Sequence, residues 1–147
     1  MPSAVVLPRR AASEKRRIAF MVKVKDMMAK SVFTITKKNK IKETADLMKK
    51  NGVGSLLVKE DDEIFGIITE TDIVHKVVAQ GLSPQITTVD AVMSFPLMSI
   101  EADAELEQAG RQMIENGIRH LAVTQDGKVV GMISMRDLLR PYFNREA

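Results

Sequence analysis

Gly66-Ile67-Ile68-Thr69-Glu70-Thr71-Asp72 and Gly131-Met132-Ile133-Ser134-Met135-Arg136-Asp137 are two versions of one pattern, Gly-h-h-[Thr/Ser]-x-x-Asp with h apolar, 65 residues apart. The same offset superposes Asn51-Gly52-Val53 on Asn116-Gly117-Ile118, Val24 on Val89, Met28 on Met93, Ile35 on Ile100 and Met48 on Met113, with no gap from Val24 to Phe143. A repeat of this kind fixes the architecture that all later assignments must respect.

Each copy reads alike. A short entry segment around Met28 or Met93 leads to an extended stretch, Val32 to Thr36 or Leu97 to Ile100. A helix follows, with Ile41, Thr44, Ala45 and Met48, or Leu106, Ala109, Gly110 and Met113, on one buried stripe. Gly52 and Gly117 are expected to stop these helices, because glycine enters the left-handed conformation at little cost. Two apolar strands come next, Ser55 to Val58 and Ile64 to Ile68, or His120 to Thr124 and Val129 to Ile133. They turn at Asp61-Asp62-Glu63 and at Asp126-Gly127, the latter a strong hairpin signal. A second helix closes each unit, about Thr71 to Ala79 and Met135 to Phe143, with Pro141 predicting a kink or early end.

The fold class is therefore α/β (α+β), with β-α-β-β-α occurring twice. Units of this size bury small cores, so the two copies are expected to pack through their sheets as a pseudo-twofold module. The expected division is a basic, flexible tail at 1–23, a first domain at 24–80, a linker at 81–88 containing Gly81-Leu82-Ser83-Pro84, and a second domain at 89–143.

Composition narrows the function. In 147 residues, 45% are hydrophobic and 28% charged, which is globular and neither disordered nor fibrous. No run approaches a membrane span, and Ala4-Val5-Val6-Leu7 is too short for a signal-peptide core, so a soluble, cytoplasmic protein is expected. The absence of Cys removes disulfides, thiolate zinc sites and Cys nucleophiles, and two histidines, His75 and His120, are too few for a metal cage. The formal charge of +3 is uneven: residues 1–23 carry six basic groups against Glu14, net +5, leaving −2 for the rest. With no phosphate-cradling Gly-rich loop and no nucleophile beside an identifiable base, no catalytic residue is assigned.

The repeated motif carries the available chemistry. A hydroxyl and a carboxylate three residues apart at a helix start can face one polar ligand, and a carboxylate can accept two hydroxyl hydrogens at once, as a ribose diol presents them. The same atoms also make a capping box, Thr69 with Asp72 and Ser134 with Asp137. Spacing leaves both readings open. The ten methionines read as pliable core filler, His75 and the run Lys37-Lys38-Asn39-Lys40 as solvated face.

With Asn-Gly-[Val/Ile] after the first helix and Gly-h-h-[Thr/Ser]-x-x-Asp at the last strand, in that order and twice, the chain resembles a tandem pair of cystathionine β-synthase (CBS) domains, a Bateman module, from Val24 to Phe143. The resemblance implies adenosine-containing ligands (AMP, ADP, ATP or S-adenosylmethionine) in clefts between the repeats, no obligatory cofactor, a homodimeric disc, and regulation of a separate, unidentified protein. It assigns ribose contacts to Thr69, Asp72, Ser134 and Asp137, and adenine contacts to Val32, Thr34 and Ile35 and to Leu97, Ser99 and Ile100. Phosphate contacts fall to Arg119 and His120, where the first copy has Gly54-Ser55, with Arg136 as a further cation where the first copy has Thr71. Arg offers a planar fork to phosphate oxygens, so one AMP-competent site and a weaker or vacant second one are expected. Two rival readings remain: a dimerisation or partner-binding module with vestigial pockets, and nucleic-acid binding through Arg9-Arg10 and Lys15-Arg16-Arg17, disfavoured because only Phe20 accompanies that cluster. Met21 is a candidate alternative start, which would make the tail an artefact of gene calling.

Overall fold

The computed structural model describes Glu14, Arg17 and residues 21–143; the rest of the basic N-terminal segment, with the expectations placed on it, lies outside them. The element order is α1 (Val24–Met27), β1 (Thr34–Thr36), α2 (Ile41–Asn51), β2 (Ser55–Glu60), β3 (Glu63–Thr69), α3 (Glu70–Ile73), a π-helical turn (Val74–Val78), a 3-10 turn (Val89–Ala91), β4 (Ser99–Glu101), α4 (Leu106–Asn116), β5 (His120–Gln125), β6 (Lys128–Ser134) and α5 (Met135–Phe143). Each copy is thus an α/β unit with one three-stranded mixed sheet, β1-β2-β3 or β4-β5-β6. In each sheet the first strand runs parallel to the second, and the second antiparallel to the third.

Local chemistry explains the boundaries. Gly52 and Gly117 end α2 and α4 in the left-handed conformation, both at φ 62°. The hairpin loops are two residues long, Asp61-Asp62 and Asp126-Gly127, with positive φ at every position, the geometry that matches the twist of the flanking strands. Thr44 lies on the buried stripe of α2 because its hydroxyl donates to the Lys40 carbonyl at 2.9 Å.

Several expectations change. β1 starts at Thr34 and β4 at Ser99, two residues later than the apolar pattern suggests, because pairing begins at Thr34↔Leu57 and Ser99↔Ala122. The helix expected at Thr71 to Ala79 begins at Glu70 and widens into the π-helical turn. α5 runs through Pro141 to Phe143, so the early end does not occur, although Pro141 supplies no N–H to the Asp137 carbonyl. Lys37, read as solvated, has a side chain only 21% exposed: it pairs with Glu60 at 2.5 Å and lies 3.6 Å from the centre of the Phe65 ring.

Among the described residues the chain divides into two compact units whose limits do not follow the repeat: a central unit, 31–98, and a split unit formed by residues 21–30 with 99–143. In the split unit α1 is tied by Val24 N–H to the Ala104 carbonyl and Lys25 N–H to the Ala102 carbonyl, each 2.9 Å, and Ala29 exchanges two backbone bonds with Met132. In the central unit, Ser94 and Ile67 exchange the equivalent pair at 2.7 and 3.1 Å, while Ile41 and Lys42 donate to the carbonyls of Thr87 and Pro84. Residues 81–88 are therefore fastened to the first sheet's unit. Each entry segment belongs with the sheet of the other sequence copy. Val89 and Val92 accordingly sit in the core with Ile35, Ile41, Leu56, Val58 and Ile68.

This exchange accounts for the first letter of the repeated motif. A Cβ at Gly66 would stand 2.7 Å from the Ser94 carbonyl oxygen, and one at Gly131 would stand 2.8 Å from that of Ala29. Glycine inside a strand marks a close backbone approach, here that of the entry segment.

Candidate functional site

Thr69 ends β3 and caps α3. Its backbone N–H donates to Asp72 Oδ2 at 3.0 Å, and Asp72 N–H donates back to Thr69 Oγ1 at 3.2 Å. The second copy repeats the arrangement, with Ser134 N–H donating to Asp137 Oδ2 at 2.8 Å and Asp137 N–H to Ser134 Oγ at 3.4 Å. Both carboxylates are buried. The capping box is therefore present twice, and it occupies Oδ2 in each carboxylate.

The other oxygen is held differently in the two units. Asp72 Oδ1 accepts from Ser94 Oγ and forms an ion pair with Lys76 Nζ, both at 2.8 Å, while Lys76 Nζ donates to the Val92 carbonyl at 3.0 Å. Asp137 Oδ1 accepts from Arg140 at 2.5 Å; the residue equivalent to Ser94 is Ala29, which has no hydroxyl. The cations stand one turn along the same helical segment and are about half exposed, 45% for Lys76 and 54% for Arg140. These three residues were missed in the sequence. Lys76 and Arg140 are visible there as cations at i+4 and i+3 from the motif aspartate, whereas Ser94 reaches Asp72 only through the exchanged entry segment.

The ladder brings further residues to the same end of each sheet. Ser55 is paired with Thr69 and His120 with Ser134, and directly opposed antiparallel residues share a face, so His120 stands beside the Ser134 hydroxyl where the first copy has Ser55. Arg119 is fixed by its carbonyl, which accepts from Met135 N–H at 2.8 Å; Gly54 does the same for Glu70 at 3.0 Å. Arg119, His120 and Arg136 thus belong to the split unit together with Ser134 and Asp137, and Arg119 and Arg136 are exposed. Among the described residues neither makes an ion pair.

Of the adenine-segment residues, Val32, Thr34, Ile35 and Leu97 lie in the central unit, and Ser99 and Ile100 in the split unit. Ile35 and Ile100 are buried, Ile35 within the central core, so their backbone and not their side chains is what these strands can offer a ligand. Thr34 and Ser99 are exposed, and Val32 and Leu97 half-buried. Among the described residues no cluster of His, Asp and Glu is arranged to hold a metal, and no helix is long and apolar enough to cross a membrane.

The comparisons agree with this layout. The CBS domain family model matches residues 24–79 and 89–143. An uncharacterized protein, MK0525, of Methanopyrus kandleri is 38% identical over 125 residues, 82% of this chain and 64% of its own length, so the chain spans somewhat less than two thirds of that relative. The CBS domain-containing protein YhcV of Bacillus subtilis is 36% identical over 118 residues, 80% of this chain and 84% of its own. A solved structure of a protein with CBS domains from Burkholderia ambifaria MC40-6 superposes with a TM-score of 0.81 at 30% identity, covering 86% of this chain and 97% of that one. These last two relatives are CBS proteins with little else on the chain. A hexameric CBS-CP12 protein from bloom-forming cyanobacteria superposes at TM-score 0.75 and 30% identity, covering 80% of this chain and 66% of its own. With two matched repeats, each closing on a helix whose start pairs the motif hydroxyl with an aspartate, the chain belongs to the CBS domain family as a tandem CBS-pair protein.

Proposed function

We propose that the chain is a regulatory sensor of adenosine-containing ligands, with AMP favoured over ADP, ATP and S-adenosylmethionine, acting on a separate protein in the cytoplasm and catalysing no reaction itself. The observation that carries this reading is the division of labour in Asp72 and Asp137. One oxygen builds the cap; the other is met by a half-exposed cation that a ribose diol can displace. Cap and ligand site are thus two uses of one carboxylate.

The two sites are unequal in this reading. Asp137 Oδ1 has one partner to give up, and the same unit supplies Arg119, His120 and Arg136 to an anionic ligand. Asp72 Oδ1 is already shared by Lys76 and the Ser94 hydroxyl, so a diol there displaces more and meets fewer cations. The Ser134–Asp137 site is therefore the competent one, and the Thr69–Asp72 site the weaker.

Titration calorimetry with AMP, ADP, ATP and S-adenosylmethionine tests this on wild type, Asp72→Ala and Asp137→Ala. Asp137→Ala should lose AMP affinity by about tenfold or more, since truncating a charged hydrogen-bond partner costs about 1.5–3 kcal/mol. Asp72→Ala should change it less. AMP affinity unchanged in both variants would sink the proposal. Failure of all four compounds to raise the melting temperature would favour a structural module instead, because a ligand bound only by the native state must stabilise it.

A further inference from the structure

Differences between the two copies converge on one point of the central unit. Lys76 Nζ meets three oxygens, one for each N–H of an ammonium: it pairs with Asp72 Oδ1 at 2.8 Å and donates to the Val92 carbonyl at 3.0 Å and the Ser94 hydroxyl at 3.4 Å. The second copy cannot build this cluster, because the residues 65 positions away are Pro141 for Lys76 and Ala29 for Ser94. The segment that carries Lys76 is also the one that departs from the α-helix. Ala79 N–H donates to the Val74 carbonyl, five residues back, at 2.9 Å, whereas α5 stays α-helical through the equivalent residues. Widened turns of this kind are frequent at functional sites. The neighbouring charge is reversed as well. A Cβ at Gly54 would stand 3.1 Å from the Glu70 carboxylate, so an anion lies against the position where the second copy carries Arg119, and Glu70 itself is matched there by Met135.

We infer that Lys76 is an autoinhibitory latch on the Thr69–Asp72 site: its ammonium takes the carboxylate oxygen that a ribose diol would use, and the site it closes suits an uncharged nucleoside, adenosine, and not a nucleotide. The inference rests on the reading of Asp72 and Asp137 as diol acceptors. A carboxylate oxygen offers two lone pairs, and Asp72 Oδ1 already faces two partners, the Ser94 hydroxyl and the Lys76 ammonium. A diol entering there must break a charge-assisted contact and strip the ammonium of the Val92 carbonyl and Ser94 hydroxyl as well. Loss of the ammonium frees that lone pair and leaves the cap on Oδ2 in place. It also leaves Glu70 and Asp72 with no cation from Lys76 between them and a ligand, so the opened site repels phosphate while a neutral nucleoside is unaffected. The intact motif of the first copy is thus kept shut by a residue of its own unit.

Titration calorimetry with adenosine and with AMP tests it on the 147-residue chain carrying Asp137→Ala, which isolates the first site, with circular dichroism to verify folding. Adding Lys76→Met, which keeps the apolar stem and removes the charge, should raise adenosine affinity about tenfold or more, the equivalent of one charged hydrogen bond, and AMP affinity less. Lys76→Gln is uncharged but can still donate to the Val92 carbonyl, and it gives the same reading if methionine disturbs the fold. Adding Asp72→Asn should cancel the gain, because the amide oxygen can keep the cap while its NH₂ cannot accept a diol; a general loosening of the chain would survive that change. No gain for adenosine in a folded Lys76 variant, a gain that persists with Asp72→Asn, or an AMP gain as large as that for adenosine would each overturn the latch. If Asp137→Ala alone leaves AMP affinity unchanged, the diol reading fails and the latch with it; if it lowers that affinity and the Lys76 variants change nothing, the latch alone fails.

Discussion

Replacing Gly66 by alanine is the sharpest test of the exchanged entry segments. The new methyl would stand 2.7 Å from the Ser94 carbonyl oxygen, a backbone atom that cannot rotate away as a side-chain tip can. Either β3 or the segment through Ser94 must move, and the bonds at risk are the mutual pair between Ile67 and Ser94, at 3.1 and 2.7 Å. Two backbone hydrogen bonds at about 1 kcal/mol each and about 1–3 kcal/mol of overpacking give a loss near 3–5 kcal/mol. For a chain of this length that corresponds to a fall in melting temperature of roughly 6–20 °C. Gly52→Ala is the control: it has the left-handed φ of 62° but nothing near its missing Cβ, so it should cost only about 1 kcal/mol. Thermal and urea denaturation give the energies, and hydrogen exchange at the Ile67 and Ser94 amides reports the local opening. If Gly66→Ala were no more destabilised than Gly52→Ala, with both amides as protected as in wild type, the close approach would not be what requires the glycine.

Asp62→Gly should stabilise the chain by about 0.5–1 kcal/mol in urea denaturation, because Asp62 holds φ 64° where the second hairpin has Gly127, and its ion pair with Lys59 is too exposed to offset the gain. Asp72→Ala should cost about 3 kcal/mol and Asp137→Ala about 2 in the same assay, since both lose a cap and a cation but only Asp72 also loses the Ser94 hydroxyl. A fragment of residues 31–98 should give a folded circular dichroism spectrum and resist proteolysis better than one of residues 24–86, which lacks the buried Val89 and Val92 and with them about 3–6 kcal/mol of burial. The Lys25 ammonium holds the Asp103 carboxyl below the ordinary aspartate range by its hydrogen bond and charge, so this link is intact above that range and is lost as pH falls through the lowered value; an NMR titration of Asp103 should show the low midpoint, and Lys25→Ala should return it to normal.

The repeat made much of this fold legible. Wherever structure depends on local chemistry, two readings of the same pattern reinforced each other: glycine ends α2 and α4, two-residue turns close both hairpins, and the motif hydroxyl caps the last helix of each copy. What escaped depends on which segment meets which. A gapless offset says that the entry segments are equivalent but not which sheet receives them, because exchange preserves every local pattern. The clue was present in Gly66 and Gly131, each inside an otherwise apolar strand. The π-helical turn at Val74–Val78 has no comparable signal; its β-branched valines are compatible with an ordinary helix as well. At the site the motif pairs were legible in full. Their second partners were legible only where sequence-local, as with Lys76 and Arg140, and not where the exchange brings them in, as with Ser94.

The places where the copies differ follow from the places where they cannot. Gly66 and Gly131 are held by a backbone contact under 3 Å, and the Thr69 and Ser134 caps by orphan N–H groups at a helix start, so those positions have one solution and it appears twice. Ser55 and His120 have no such constraint, since either side chain suits the first position of a strand whose next residues carry the core. Nor do Lys42 and Glu107, on exposed or half-exposed helix faces where the sign of the charge changes helix stability by only about 0.3–1 kcal/mol. Divergence there costs the fold little and changes what a nucleotide would meet. Arg119, His120 and Arg136 in the Ser134–Asp137 unit are thus departures that architecture leaves free, and recognition is the property they alter.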